Sequence, residues 1–102
     1  MRIISGKFKG RKIKYNNLNN VRPTTDRTKE SLFNILKQHF IFQEINALDL
    51  FSGSGNISYE LASRGVLKIT SVEKNVKCVR FINDFSKKLN IELNLVNSPV
   101  VE

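Results

Sequence analysis

The sequence predicts an α/β fold, a truncated Rossmann-like sheet of about three parallel strands with helices, preceded by an N-terminal basic β-hairpin and a helix. Three observations predict it. From residue 45 onward, apolar runs of strand length alternate with stretches of helical period, the pattern of strand–helix–strand units with right-handed crossovers. The first of those runs ends in a glycine-rich turn, Ser52-Gly53-Ser54-Gly55. The segment before residue 41 is strongly basic and patterned differently from the rest.

The chain opens with Phe8 and Ile13 each placed between basic residues, and with Gly6 and Gly10 as punctuation, so residues 1–15 read as the hairpin. Asn16 to Asn20 is a polar connection of high turn propensity. Leu32, Phe33, Ile35, Leu36 and Phe40 then follow helical spacing, with Thr24 or Thr25 as the N-cap and Asp26 in the first turn. Ile45 to Phe51, interrupted only by Asn46 and Asp49, reads as a buried strand feeding a tight loop. Residues 56–64 read as a helix closed by Gly65, 67–73 as a second strand, 75–89 as a second helix and 91–97 as a third strand. Val76, Val79, Ile82 and Phe85 form a core stripe on that second helix, and Cys78 takes a buried position among them. The expected organisation is a hairpin and loop over 1–20, followed by one incomplete α/β unit over 21–102.

Bulk properties narrow the function classes. A chain of 102 residues supports one hydrophobic core, and 40% hydrophobic with 25% charged residues is the composition of a folded domain. No run approaches the roughly 20 apolar residues of a membrane span, and the basic start is not followed by a signal-like apolar region. A cytoplasmic protein without a membrane partner is expected. Cys78 and His39 are each the only residue of their type, which excludes an intramolecular disulfide and a Cys/His zinc site.

The net charge of +8 is unevenly placed: residues 1–40 hold ten Lys and Arg against two acids, whereas residues 41–102 hold seven of each. Such asymmetry marks contact with a polyanion.

The glycine turn carries the chemistry. Gly53 and Gly55 stand between a strand and a helix, where missing side chains let backbone N–H groups approach a ligand. Asp49 closes the preceding strand, where a carboxylate is costly to bury without a partner. Glu73 ends the next strand, 20 residues after Gly53, the spacing at which an acid accepts hydrogen bonds from ribose hydroxyls. A dinucleotide's pyrophosphate would be repelled by Asp49, whereas the sulfonium and ammonium of S-adenosylmethionine would be favoured. The third glycine of a dinucleotide fingerprint is replaced by Ser58. S-adenosyl-L-methionine is therefore the expected cofactor.

With these residues in hand, the chain resembles the bacterial methyltransferases that make N2-methylguanosine in small-subunit (16S) ribosomal RNA, in their N-terminal, cofactor-binding part only. The resemblance rests on Arg2 to Arg11, on Arg22-Pro23-Thr24-Thr25-Asp26-Arg27-Thr28-Lys29-Glu30-Ser31-Leu32-Phe33-Asn34, and on Asp49-Leu50-Phe51-Ser52-Gly53-Ser54-Gly55. The middle segment is the most specific. It implies a class I S-adenosylmethionine-dependent methyltransferase sheet. It also implies that Arg22, Thr24 and Thr25 border the cofactor pocket and that Asp49, Phe51, Ser52, Gly53, Ser54 and Gly55 wrap the methionine part, with Glu73 on the ribose. Arg2, Lys7, Lys9, Arg11, Lys12, Lys14 and Arg27 would touch rRNA or the small ribosomal subunit. About six phosphate contacts would make such binding steeply salt-dependent.

The chain departs from that family in two respects. An Asn/Asp-Pro-Pro-aromatic motif, implied to position the guanine amino group for in-line attack, is not in this sequence, whose only prolines are Pro23 and Pro99. Pro99 also stands near where the family carries Asp or Asn against the adenine. The expected catalytic set in this chain is thus none, and three origins fit: a truncated or decayed product, a trimmed piece, or half of a split enzyme. In the family's sheet order the fourth strand pairs with the first, so the Ile45–Phe51 strand would be an exposed edge open to self-association or a partner chain. A catalytically dead RNA-binding module and a fragment of a nucleotide-binding oxidoreductase are the competing readings.

Overall fold

The computed structural model describes residues 1–15 and 24–99. Helix α1 spans Asp26–His39, a 3-10 turn Phe42–Glu44, strand β1 Asn46–Leu50, helix α2 Asn56–Ser63, strand β2 Lys68–Glu73, helix α3 Val76–Lys88 and strand β3 Asn94–Asn97. The strands form one parallel sheet in the order β1-β2-β3, with Asp49 beside Ser71 and Glu73 beside Asn97. No helix of the described residues is long and apolar enough to cross a membrane.

Local chemistry explains each boundary. Thr25 caps α1, its hydroxyl accepting from the Thr28 N–H at 3.1 Å, and Asp26 follows in the first turn. Asn75 caps α3 by accepting from the N–H groups of Lys77 and Cys78. Gly65, at φ +114°, lets the chain leave α2 in a conformation other residues resist. Residues 1–13 fold back on themselves as expected, but the pairing reduces to a single antiparallel bridge between Arg2 and Lys12, flanked by N–H···O bonds from Ile3 to Arg11 and from Ile13 to Met1.

Two clusters make the core, and both lie on one face of the sheet. Ile3 and Ile13 of the hairpin pack with Tyr59, Ile82, Leu89 and Ile91, and Phe33 and Phe42 pack with Leu61, Val66 and Ile69. Ala47, Ile69 and Leu95 point to that face. The alternate residues Leu48 and Leu50 point away and are 63% and 43% exposed. The strand stands at the sheet edge as expected, but its expected burial is corrected: β1 belongs to a sheet whose second face is bare among the described residues.

Three smaller expectations change as well. Of the apolar positions expected to line α1 only Phe33 is fully buried, while Leu32, Ile35 and, at the C-cap, Phe40 are exposed. The α3 stripe holds at Ile82 and Phe85, and Cys78 is buried as expected, but Val76 in the first turn is exposed. β3 begins at Asn94 because Ile91 and Leu93 are used as core packing before the chain joins the sheet.

A buried ion network holds the layers together. Lys29 and Glu60 are both fully buried and lie 3.2 Å apart, and Lys29 also donates to Asn56 Oδ1 and to the Arg2 carbonyl. Glu60 in turn accepts from the N–H groups of Ile4 and Ser5 and from Arg64 Nε. Burial pulls the Lys29 ammonium below its ordinary range, and the Glu60 charge opposes that shift. With three acceptors around three ammonium hydrogens, the pair is satisfied and holds hairpin, α1 and α2 in one arrangement.

Candidate functional site

The parallel order brings the C-terminal ends of β1 and β2 side by side, the edge at which open α/β sheets bind ligands. The turn Phe51–Gly55 leaves β1 there. Phe51 (φ 59°), Gly53 (φ 57°) and Gly55 (φ 85°) are all in the left-handed region. For a bulky residue such as Phe51 that conformation is strained, and strain of this kind gathers at ligand sites. Phe51 is also 72% exposed, so no core packing accounts for its position.

Glu73 anchors this turn. Its Oε1 accepts from the Gly53 N–H at 2.9 Å and its Oε2 from the Asn75 N–H at 2.7 Å. A carboxylate offers about four lone-pair sites, so Glu73 is fixed in direction and keeps acceptor capacity for a pair of hydroxyls. A small cleft of about 40 Å³ between Phe51, Val72, Glu73, Lys74 and Ser98 opens beside it.

Asp49 sits on the helix-facing side of β1. Its Oδ2 accepts from Ser58 Oγ at 2.6 Å, and Ser58 and Ser71 share a further 2.6 Å bond beneath it. Burial raises the Asp49 carboxyl above its ordinary range; bonds from Ser58 and Ser52 oppose the shift, and the Glu73 charge adds to it. Two carboxylates thus flank one glycine turn, an arrangement that favours a cationic group between them.

Gly55 is required by its surroundings. A Cβ on Gly55 would lie 2.5 Å from the Tyr59 ring, so this position is glycine for packing as well as for its φ, and not only for ligand approach. Ser52 and Ser54 are buried, with Ser52 Oγ donating to the Asp49 carbonyl.

Asn56, which the sequence reading did not single out, connects the turn to the segment before α1. Its Nδ2 donates to the Thr24 carbonyl at 3.1 Å and its Oδ1 accepts from Lys29 at 2.7 Å. Thr24 is therefore brought to the glycine turn. Thr25 is not: its hydroxyl is committed to capping α1. Arg22 lies outside the described residues. No sequence signal would have found Asn56, since a polar residue in a first helical turn is ordinary.

The basic residues Arg2, Lys7, Lys9, Arg11, Lys12, Lys14 and Arg27 are all exposed. Arg2 is partly neutralised by Asp26, at 3.5 Å. A wider cleft, about 350 Å³ between Leu67, Thr70 and Asn94, opens at the N-terminal ends of β2 and β3, away from the carboxylates, so size alone does not mark the site.

Residues 1–100 match the family model described as conserved hypothetical protein 95. The ribosomal RNA small subunit methyltransferase D of Buchnera aphidicola subsp. Baizongia pistaciae is 39% identical over 101 residues, 99% of this chain and 49% of that protein. The protein of the same name from Haemophilus influenzae is 42% identical over 73 residues, 72% of this chain and 37% of its own length. Among solved structures, the yhhF protein of Escherichia coli superimposes with a TM-score of 0.83 at 31% identity, over 97% of this chain and 52% of its own. The chain spans about half the length, or less, of the relatives it matches.

Proposed function

We propose that this chain, which belongs to the conserved hypothetical protein 95 family, is the donor-binding half of an S-adenosylmethionine-dependent methyltransferase acting on guanine N2 of small-subunit rRNA. The observation that carries the reading is the pair of carboxylates, Asp49 and Glu73, at the ends of adjacent parallel strands on either side of the Gly53–Gly55 turn. The names of the relatives support rRNA as the substrate class.

When bound, the cofactor would supply an electrophilic methyl group on a sulfonium. Glu73, already oriented by Gly53 and Asn75, would accept from the ribose hydroxyls. Asp49 would face the cationic methionine end, and N–H groups at the start of α2 would meet its carboxylate. Arg22, Thr24, Thr25, Phe51, Ser52 and Ser54 would complete the wall, with Thr25 acting through its hold on α1. Exposed basic residues of the hairpin, with Arg27, would take the RNA phosphates. The hairpin with its loop (1–20) would thus serve RNA and residues 21–102 the donor.

No group in this sequence corresponds to the Asn/Asp-Pro-Pro-aromatic acceptor set, so the chain alone would bind the donor without transferring the methyl group. A partner polypeptide, or a second copy, would dock on the β1 edge. The test is transfer of a radiolabelled methyl group to small-subunit rRNA, with and without the C-terminal half of the Haemophilus influenzae relative supplied in trans. The expected result is no transfer by the chain alone and N2-methylguanosine in the digest of the complemented reaction. Methylation at another atom would overturn the guanine N2 assignment.

A further inference from the structure

We infer that the cleft between the hairpin and α3 binds one unpaired RNA nucleotide, with its base on Phe81 and its phosphates on Lys12, Lys14 and Lys88. The cleft encloses about 260 Å³ and is lined by those four residues together with Asp84 and Phe85. That is below the roughly 300–1,000 Å³ of sites for drug-sized ligands, and it suits a single planar ring.

The floor is a run of three aromatic rings. Tyr59 is fully buried, and Phe85 packs on it tilted by 42°, with ring centroids 4.8 Å apart. Phe81 continues the series outward, nearly parallel to Phe85 at 5.8 Å and 12°. The outermost ring is only partly buried, so the next place in the stack is the cleft itself. Base-on-aromatic stacking is the recurring device of single-strand recognition, because every base has a π-face.

The rim supplies the charge. Lys12 and Lys14 approach from the hairpin and Lys88 from the last turn of α3, against Asp84 alone. Summed over residues 41–102 the chain is neutral, but the sum hides local polarity. Among the acids, Asp49, Glu60 and Glu73 are engaged in the core and the glycine turn. Helix α3 itself carries Lys77, Arg80, Lys87 and Lys88 against one acid, Asp84. The basic surface of the hairpin therefore continues across α3. An unpaired polyanion with flat rings is the partner that fits both halves of the cleft.

The choice of RNA over other single-stranded polyanions rests on the rRNA reading above, whereas the donor site is not involved. The test is fluorescence anisotropy with a labelled single-stranded oligouridylate, using the full chain, with thermal melts confirming that each variant is folded. Phe81→Leu, which keeps the core contact and removes the stacking face, is expected to weaken binding about five- to hundredfold. Lys88→Ala, at an exposed position, is expected to lower the salt slope by about 0.7. Lys68→Ala, at the far end of β2, is expected to change neither.

Unchanged affinity in Phe81→Leu would overturn the proposal, as would equal competition by blunt duplex RNA, which has no free base to stack. Equal competition by polyglutamate would point to an acidic protein and overturn it too. A single-stranded deoxyoligonucleotide binding more tightly than the RNA would overturn the choice of polymer. Titration with S-adenosylhomocysteine separates the two readings: loss of donor binding with intact oligouridylate binding would count against the donor site and leave the cleft standing.

Discussion

The backbone N–H of Gly53 donates to Glu73 Oε1 at 2.9 Å, so the turn that leaves β1 is held by the residue that ends β2. One carboxylate thereby does two things: it fixes the glycine turn before any ligand arrives, and it presents its remaining lone pairs at the strand ends. The turn is built in advance rather than assembled around a ligand.

Asp49 carries a stability cost that ligand binding would recover. Its raised carboxyl means that the folded chain holds this proton more tightly than the unfolded chain does. The stabilising contribution is fully present below the ordinary value of 3.8 and is lost as pH rises through the raised value. Asp49→Asn is therefore expected to raise the Tm of the free protein at pH 7 by a few degrees, 1 kcal/mol corresponding to about 4–8 °C in a domain of this size. The gain should vanish at pH 3. Melting curves across pH measure both, and a lower Tm for the variant at pH 7 would contradict the assignment.

Lys29→Met is expected to cost about 3 kcal/mol, the lower end for breaking a buried pair, because Arg64 remains 2.7 Å from Glu60. Urea denaturation gives the value. Since Glu60 also holds the N–H groups of Ile4 and Ser5, limited proteolysis within residues 1–15 should speed up in the same variant. A neutral substitution would mean that the ammonium is not needed there.

Gly55→Ala meets two obstacles at once, a φ of +85° and a Cβ placed 2.5 Å from Tyr59. Destabilisation of about 2 kcal/mol is expected, above the roughly 1 kcal/mol of a left-handed strain alone. Gly10→Ala is the internal comparison, since its φ is similar (+88°) and nothing lies within 4 Å of its Cβ. Equal losses in the two variants, measured by thermal denaturation, would show that Tyr59 does not matter.

The sheet face left bare among the described residues, with the β1 edge, should make the chain self-associate or take a partner. Sedimentation velocity is expected to show concentration-dependent association that Leu48→Lys and Leu50→Glu shift toward monomer. A stable monomer at all concentrations would count against the exposed edge as an interface.

Much of this arrangement is legible in the sequence. Asp49 and Glu73 stood out because acids at the ends of apolar strands are rare without a purpose, and the glycine turn between them fixed the direction of the chain. The burial of β1 is not legible for a physical reason: Leu48 and Leu50 have the composition of a strand covered on both faces, and an apolar run does not show that only one face is covered among the described residues. Lys29 was not legible at all. A lysine on an amphipathic helix reads as solvated, and only the meeting of Glu60, Asn56 and the Arg2 carbonyl makes a dry place for it. The polarity of α3 was lost for a similar reason, since a sum over a long segment cancels charges that the fold keeps apart.

The proposal that the turn between Asp49 and Glu73 holds an S-adenosyl donor stands or falls with isothermal titration calorimetry of S-adenosylhomocysteine into the wild-type chain and into Glu73→Ala. Saturable binding is expected for the wild type, with a loss of about ten- to hundredfold in the variant, the size expected for hydrogen bonds to a charged acceptor, and no heat from NADH. Absence of S-adenosylhomocysteine binding by the folded wild-type chain, or NADH binding in its place, would contradict it.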